Sequence, residues 1–197
     1  MRYVSLFSGI EAASVAWRQL GWELVAVADI DPFACACLAH RFPDVPNLGD
    51  VSTIDWSEYA GSVDLVVGGS PCQAFSLAGK RAGLMDERGQ LMLEYVRAVR
   101  DLHPRWVLWE NVPGVFSQSG GDAFDTLQRE LEQCGYSCAW RTLDAQFAGV
   151  AQRRRRVFLV GHSRVGCAAS VLFERESLRW DHPSSHHKRQ ALTAAAG

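Results

Sequence analysis

The chain has 197 residues, 48% hydrophobic and 21% charged, with a formal net charge of −2. That composition suits one domain with a sizeable core and excludes a disordered chain or one that needs disulfide staples. No apolar run approaches the ~18 residues of a membrane span, the N-terminal apolar stretch breaks at Ser8-Gly9, too early for a signal peptide, and so small a net charge leaves any DNA contact to a local basic patch.

Strand-like and helix-like segments alternate. Arg2–Phe7 reads as a first strand and Ser8–Glu11 as a tight turn. Ala12–Leu20 has the apolar spacing of a helix, with Gly21 as its stop. Trp22–Ala28 is a second strand ending at Asp29, and Asp31-Pro32 opens a helix through Arg41, with Asp at the cap and Pro in the first turn. Val63–Gly68 is wholly apolar, as a strand covered on both faces should be. Leu91–Leu102 follows as a helix, Trp106–Trp109 as a strand ending at Glu110, Phe124–Cys134 as a helix closed by Gly135, Ser137–Leu143 as a strand and Arg156–Gly161 as a last strand. Past Gly161 the pattern fades; Cys167–Phe173 has room for one short element, and residues 181–197 read as a linker or frayed tail. The alternation predicts an α/β fold with a largely parallel sheet and helices on both faces. Ligands of such sheets sit beyond the carboxyl ends of the strands, which points to Phe7–Glu11, Asp29, Ser70–Gln73 and Glu110–Val112.

Six cysteines at C-x-C and C-x3-C spacings match no common zinc pattern. All but Cys72 read as small buried hydrophobes in a reducing, cytoplasmic setting. Cys72 differs because Gly69-Ser70-Pro71-Cys72-Gln73 presents it directly after a strand, where a nucleophile belongs, although a lone Pro-Cys pair more often just packs. Glu110, also at a strand's end and beneath Val107, Leu108 and Trp109, has a partly apolar setting that suits a carboxyl to share a proton; a cap or simple ion pair is the bland reading. Gln152 precedes four arginines that enter a strand, so that Arg154 and Arg156 share one face and Arg153 and Arg155 the other; one pair can face a developing anion, and a solvated basic edge is the alternative. Phe7-Ser8-Gly9-Ile10-Glu11 has one glycine where a dinucleotide loop wants three. Asp29 lies about 20 residues beyond that turn, where such folds place a ribose-binding acid.

Taken together and in this order, the motifs resemble those of the DNA (cytosine-5)-methyltransferases. Phe7-Ser8-Gly9 is similar to the family's first motif, Gly49-Asp50-Val51 to its third, Gly69–Gln73 to the nucleophile motif, Arg88-Gly89-Gln90-Leu91 to a loop-to-helix motif, Glu110-Asn111-Val112 to the glutamate motif and Gln152-x-Arg154-x-Arg156 to the arginine motif. The resemblance covers residues 1–163 as a catalytic domain, with 164–197 a short, partly disordered extension. It implies a Rossmann-like methyltransferase fold that moves a methyl group from S-adenosylmethionine to carbon 5 of a cytosine flipped out of double-stranded DNA, through a covalent adduct of Cys72 at carbon 6. Glu110, Arg154 and Arg156 would complete the catalytic set, with Arg156 nearer the cytosine carbonyl oxygen. Phe7, Ser8, Gly9, Ile10, Asp29, Ile30, Asp50, Pro71 and Leu91 would hold the cofactor, and Gln73, Ser76, Arg88, Asn111 and Gln152 the DNA; Gln73–Arg88 would close over the flipped nucleotide. No metal and no membrane is implied, and the setting is the cytoplasm or nucleoid of a bacterial or phage-infected cell.

Two departures stand out. Glu11-Ala12-Ala13 replaces further glycines and adds a charge beside the cofactor, and residues 162–197 contain neither a target-recognition domain nor the family's last motif. A split enzyme with a separate recognition subunit, a truncated enzyme, and a non-catalytic cofactor-binding domain therefore all fit. A nucleotide-dependent oxidoreductase is disfavoured by the single-glycine loop. A thiol hydrolase lacks a base paired with Cys72; His40, His103 and His162 are the candidates outside the tail.

Overall fold

The computed structural model describes residues 1–71, 87–117 and 121–173, with 87–89 described as backbone only. Six strands form one sheet in the order β2-β1-β3-β4-β6-β5: β1 Arg2–Leu6, β2 Glu23–Ala28, β3 Leu65–Gly68, β4 Trp106–Asn111, β5 Ser137–Asp144 and β6 Arg155–His162. Among the described residues five α-helices accompany them: α1 Ala12–Trp17, α2 Pro32–Arg41, α3 Glu87–Leu102, α4 Asp122–Gln133 and α5 Cys167–Leu172. This is the expected α/β architecture. Pairing is parallel across β2, β1, β3 and β4, but β6 runs antiparallel to both β4 and β5.

Local signals set most boundaries. Asp31 accepts from the Ala34 amide and Pro32 fills the first turn of α2. Helix α1 tightens after Trp17 into a 3-10 turn, Arg18–Leu20, and Gly21 ends it at φ 62°. Tertiary pairing sets others. Strand β4 runs past Trp109 because Glu110 and Asn111 pair with Phe158 and Val157 of β6, so both residues lie within the strand, not after it. Helix α3 begins at Glu87, earlier than the apolar spacing suggested.

Alternation along the strands divides the side chains between two faces. One face is closed. Val4 and Leu6 of β1, Val66 of β3, Val107 and Trp109 of β4 and Val157 and Leu159 of β6 pack with Met92, Tyr95, Val96, Val99 and Leu102 of α3 and Phe124, Leu127 and Leu131 of α4. The helix residues recur at the three- and four-residue intervals of an amphipathic stripe. The other face carries two smaller clusters. Tyr3, Leu65 and Val67 pack with Ala13 and Trp17 of α1, and Ala139 and Val160 pack with Ala168 and Leu172 of α5. Cys138 serves as filler; burial pushes its thiol up to about 12. Among the described residues no helix is long and apolar enough to cross a membrane and no cluster suits a metal ion.

Candidate active site

On the second face, between α1 and the start of β6, lies a cavity of about 920 Å³. Phe7, Ser8, Glu11, Gly69, Glu110 and Arg156 are among its walls. Its first corner is the turn after β1. Phe7, Gly9 and Glu11 all have left-handed backbones, at φ 52°, 54° and 60°. Such angles are strained for a non-glycine residue, so the turn needs anchors. Ser8 Oγ donates to the Ser5 carbonyl at 2.8 Å and accepts from the Ala28 amide at 3.1 Å. The Gly9 amide donates to Asp29 Oδ2 at 2.7 Å, and the Asp31 amide donates to Oδ1 at 2.9 Å. Asp29 thus braces the turn across the ends of β1 and β2 while each oxygen keeps a lone pair for a ligand hydroxyl. Above Gly9 nothing lies within 4 Å of where a Cβ would stand, and Ile30 beside it is 70% exposed. Arg41 donates to the Ile10 carbonyl at 2.8 Å. Asp50 caps its own turn; the Ser52 amide and hydroxyl hold its carboxyl below the usual carboxylate range.

The second corner joins β3 to β4. Arg156 Nε lies 2.8 Å from Glu110 Oε1. The carboxylate therefore faces a guanidinium, and the partly apolar setting expected for it is replaced by an ion pair. The chain leaving β3 runs against it: a Cβ on Gly69 would come within 3.0 Å of Glu110 Oε2 and 3.1 Å of its carbonyl oxygen, so a larger residue there would make Glu110 give way. The next residue is tied from both sides of Glu110. Trp109 Nε1 donates to Ser70 Oγ at 3.2 Å and Asn111 Nδ2 donates to the Ser70 carbonyl at 3.0 Å. Asn111 Oδ1 accepts from the Val112 amide, and the residue is buried, so it braces the end of β3. Pro71 is exposed at the end of the described segment, and Leu91 is half-buried in α3.

Cys72, Gln73 and Ser76 lie outside the described residues, as does most of Gln73–Arg88; Arg88 is described only as helix backbone. The arginine run departs from its expected alternation. Strand β6 begins at Arg155, so the two-residue period starts there, and Arg153, Arg154, Arg155 and Arg156 all line the cavity. Arg154 is held through its backbone, its amide donating to Asp144 Oδ1 and its carbonyl accepting from Ala145. Gln152 is exposed.

The sequence flagged Glu11 as a departure without indicating its burial. The side chain is 1% exposed. Its Oε1 accepts from the Ser14 amide at 3.1 Å and hydroxyl at 3.0 Å, while Oε2 makes no hydrogen bond. Burial pushes the carboxyl up, against the opposing pull of the Ser5 and Ser14 hydroxyls, the Ser14 amide and the Arg41 charge. Trp109 is the other site residue missed, and Ser70 was read only as part of the segment before Cys72; the bond between them arises only where β3 meets β4.

The family model for C-5 cytosine-specific DNA methylases matches residues 1–192. The chain is 41% identical to a protein of Escherichia phage P1 named DNA N-6-adenine-methyltransferase, over 98% of this chain and 32% of that one. It is 36% identical to Type II methyltransferase M.AquIA of Picosynechococcus, over 82% of this chain and 71% of that one. Its fold superposes on S. pombe Dnmt2 methyltransferase with a TM-score of 0.72 at 22% identity, covering 89% of this chain and 56% of that one. The chain thus spans about a third of the phage P1 protein's length.

Proposed function

Because the chain belongs to the C-5 cytosine-specific DNA methylase family, we propose that it is the catalytic part of an enzyme that methylates carbon 5 of cytosine in double-stranded DNA. The observation that carries this reading is the Glu110–Arg156 pair at 2.8 Å, set against the Gly69-Ser70-Pro71 segment that leads directly to Cys72. S-adenosylmethionine is the cofactor; when bound it supplies the methyl group as an electrophile on a sulfonium. The residues of the first corner fit it. Asp29 has free lone pairs for the ribose hydroxyls, Gly9 leaves open space for close approach, and Glu11 has an orphaned acceptor.

Carbon 5 of cytosine is a poor nucleophile. Attack by the Cys72 thiolate forms a sulfur–carbon bond at carbon 6, moves the carbon 5–carbon 6 π pair toward carbon 4, and leaves the carbon 4–nitrogen 3 pair on nitrogen 3. Nitrogen 3 takes up a proton from solvent by way of the Glu110 carboxyl and returns it by the same route at the end. Arg156 fixes the Glu110 carboxyl in place for that exchange, and Arg154 and Arg156 face the base and phosphate. Carbon 5, now enamine-like, takes the methyl group; solvent water then takes the carbon 5 proton, the pair left behind re-forms the carbon 5–carbon 6 double bond, and the Cys72 thiolate departs. The base must leave the duplex for these atoms to meet. Residues 1–163 carry this chemistry, and 164–197 form an extension whose helix α5 packs back on the sheet. DNA reading belongs to parts that the longer relatives carry beyond the matched length, in the same polypeptide or in a separate recognition subunit. The setting is the cytoplasm of a bacterial or phage-infected cell.

The test is methyl transfer from labelled cofactor to mixed-sequence duplex DNA, followed by nucleoside analysis. Label in 5-methylcytosine is expected, and Cys72→Ser should abolish it while cofactor affinity stays within about threefold, since a thiol-to-hydroxyl change leaves the cofactor's contacts in place. Label in N6-methyladenine, the modification named for the phage P1 relative, overturns the reading. So does equal loss of transfer and cofactor binding in Cys72→Ser.

A further inference from the structure

Glu11 lines the same cavity as Phe7, Ser8, Gly69 and Glu110. Its side chain is almost wholly buried, one oxygen is used by Ser14, and the other has no hydrogen bond, although it belongs to a residue that lines the cavity. An unpaired carboxylate oxygen in such a place is costly and calls for a donor. The Ser5 hydroxyl acts on the carboxyl but completes no hydrogen bond to Oε2, and the other neighbours are committed elsewhere. Ser8 Oγ donates to Ser5 O, Tyr3 Oη and Ser14 Oγ are paired with each other at 2.6 Å, and a hydrogen bond from Arg41 is spent on the Ile10 carbonyl.

On the reading above, Asp29 would hold the ribose and the Glu110 corner would hold the reacting base, which would leave the turn that carries Glu11 for the cofactor's amino-acid end. We infer that Glu11 Oε2 receives the α-ammonium of S-adenosylmethionine, which makes Glu11 a specificity-determining residue for the cofactor's amino-acid end. The inference rests on the S-adenosylmethionine reading above. It also accounts for the strained turn. A left-handed backbone at Glu11 aims its side chain inward, and Ser14 fixes the carboxylate with Oε1 so that Oε2 is left for the ligand. An ammonium–carboxylate contact in a partly enclosed site is a charge-assisted hydrogen bond, among the stronger kinds a site can offer.

The experiment measures binding of S-adenosylhomocysteine, which lacks the sulfonium charge, and of its analogue in which the α-amino group is replaced by hydrogen. The proteins are the full chain, Glu11→Gln and Glu11→Gly; glycine accepts the left-handed backbone, so the second variant keeps the turn foldable. Unfolding temperatures confirm that each variant is folded. The full chain should bind S-adenosylhomocysteine at least about tenfold more tightly than the deamino analogue, and both variants should lose that preference to within about threefold, by weakening for the amino ligand alone. Equal weakening for both ligands would make Glu11 a structural brace and overturn the inference, as would a retained preference. Failure of the full chain to bind either ligand overturns the cofactor reading and the inference with it; binding of both with no preference overturns only the inference.

Discussion

The two faces of the sheet are built to different ends. The face under α3 and α4 is a continuous apolar layer in which Val66, Val107, Trp109, Leu127, Leu131 and Leu159 are all but fully buried. The face under α1 and α5 holds two small clusters with a cavity between them, and there stand Glu11, Glu110 and Arg156. Adjacent residues of β4 make the contrast sharp: Trp109 and Asn111 point to the closed side and grip Ser70, while Glu110 between them points to the open side and meets Arg156. Burial on one side supplies the rigidity that lets the other side keep charged groups and an open volume. Stability and chemistry should therefore separate by face.

The sharpest way to break that separation is at Glu110. Glu110→Gln should lower methyl transfer by about 10²–10⁴-fold, the usual cost of removing a general acid, while unfolding in urea shifts by no more than about 1 kcal/mol, because the ion pair is partly exposed. A loss of several kcal/mol of stability would mean that the open face also holds the fold together. The opposite case is Leu127→Ala. It should cost about 2–5 kcal/mol of stability and leave the cofactor affinity of the folded protein unchanged; a large affinity loss in fully folded protein would show that the faces are coupled. Asp29→Ala comes last. It removes the brace between β1 and β2 and the proposed ribose acceptor together, so cofactor binding should weaken by at least about tenfold, the loss of one or two hydrogen bonds to a charged group. Titration calorimetry would check it, and unchanged affinity would remove Asp29 from the site.

Much of this was legible in the residues themselves. The caps and stops at Asp31-Pro32, Gly21 and Gly135 are interactions between near neighbours in the chain, so the sequence states them directly. The strands after which Phe7, Asp29 and Gly69 fall could be read from apolar runs, and with them the corner that each motif occupies. The direction of β6 could not, because a two-residue period is the same for parallel and antiparallel pairing. Nor could the two added residues of β4, which exist only because β6 pairs with them.

The sequence by itself thus determined the order of elements, the family's motifs and the strand ends where chemistry gathers, since each depends on residues close in the chain. Tertiary structure alone decided which of those groups meet. It set Arg156 against Glu110, tied Asn111 to Ser70, and buried Glu11 with one oxygen unpaired. Those outcomes depend on the packing of segments far apart in the chain, and no local pattern of residue types encodes the partner that a buried polar atom will find.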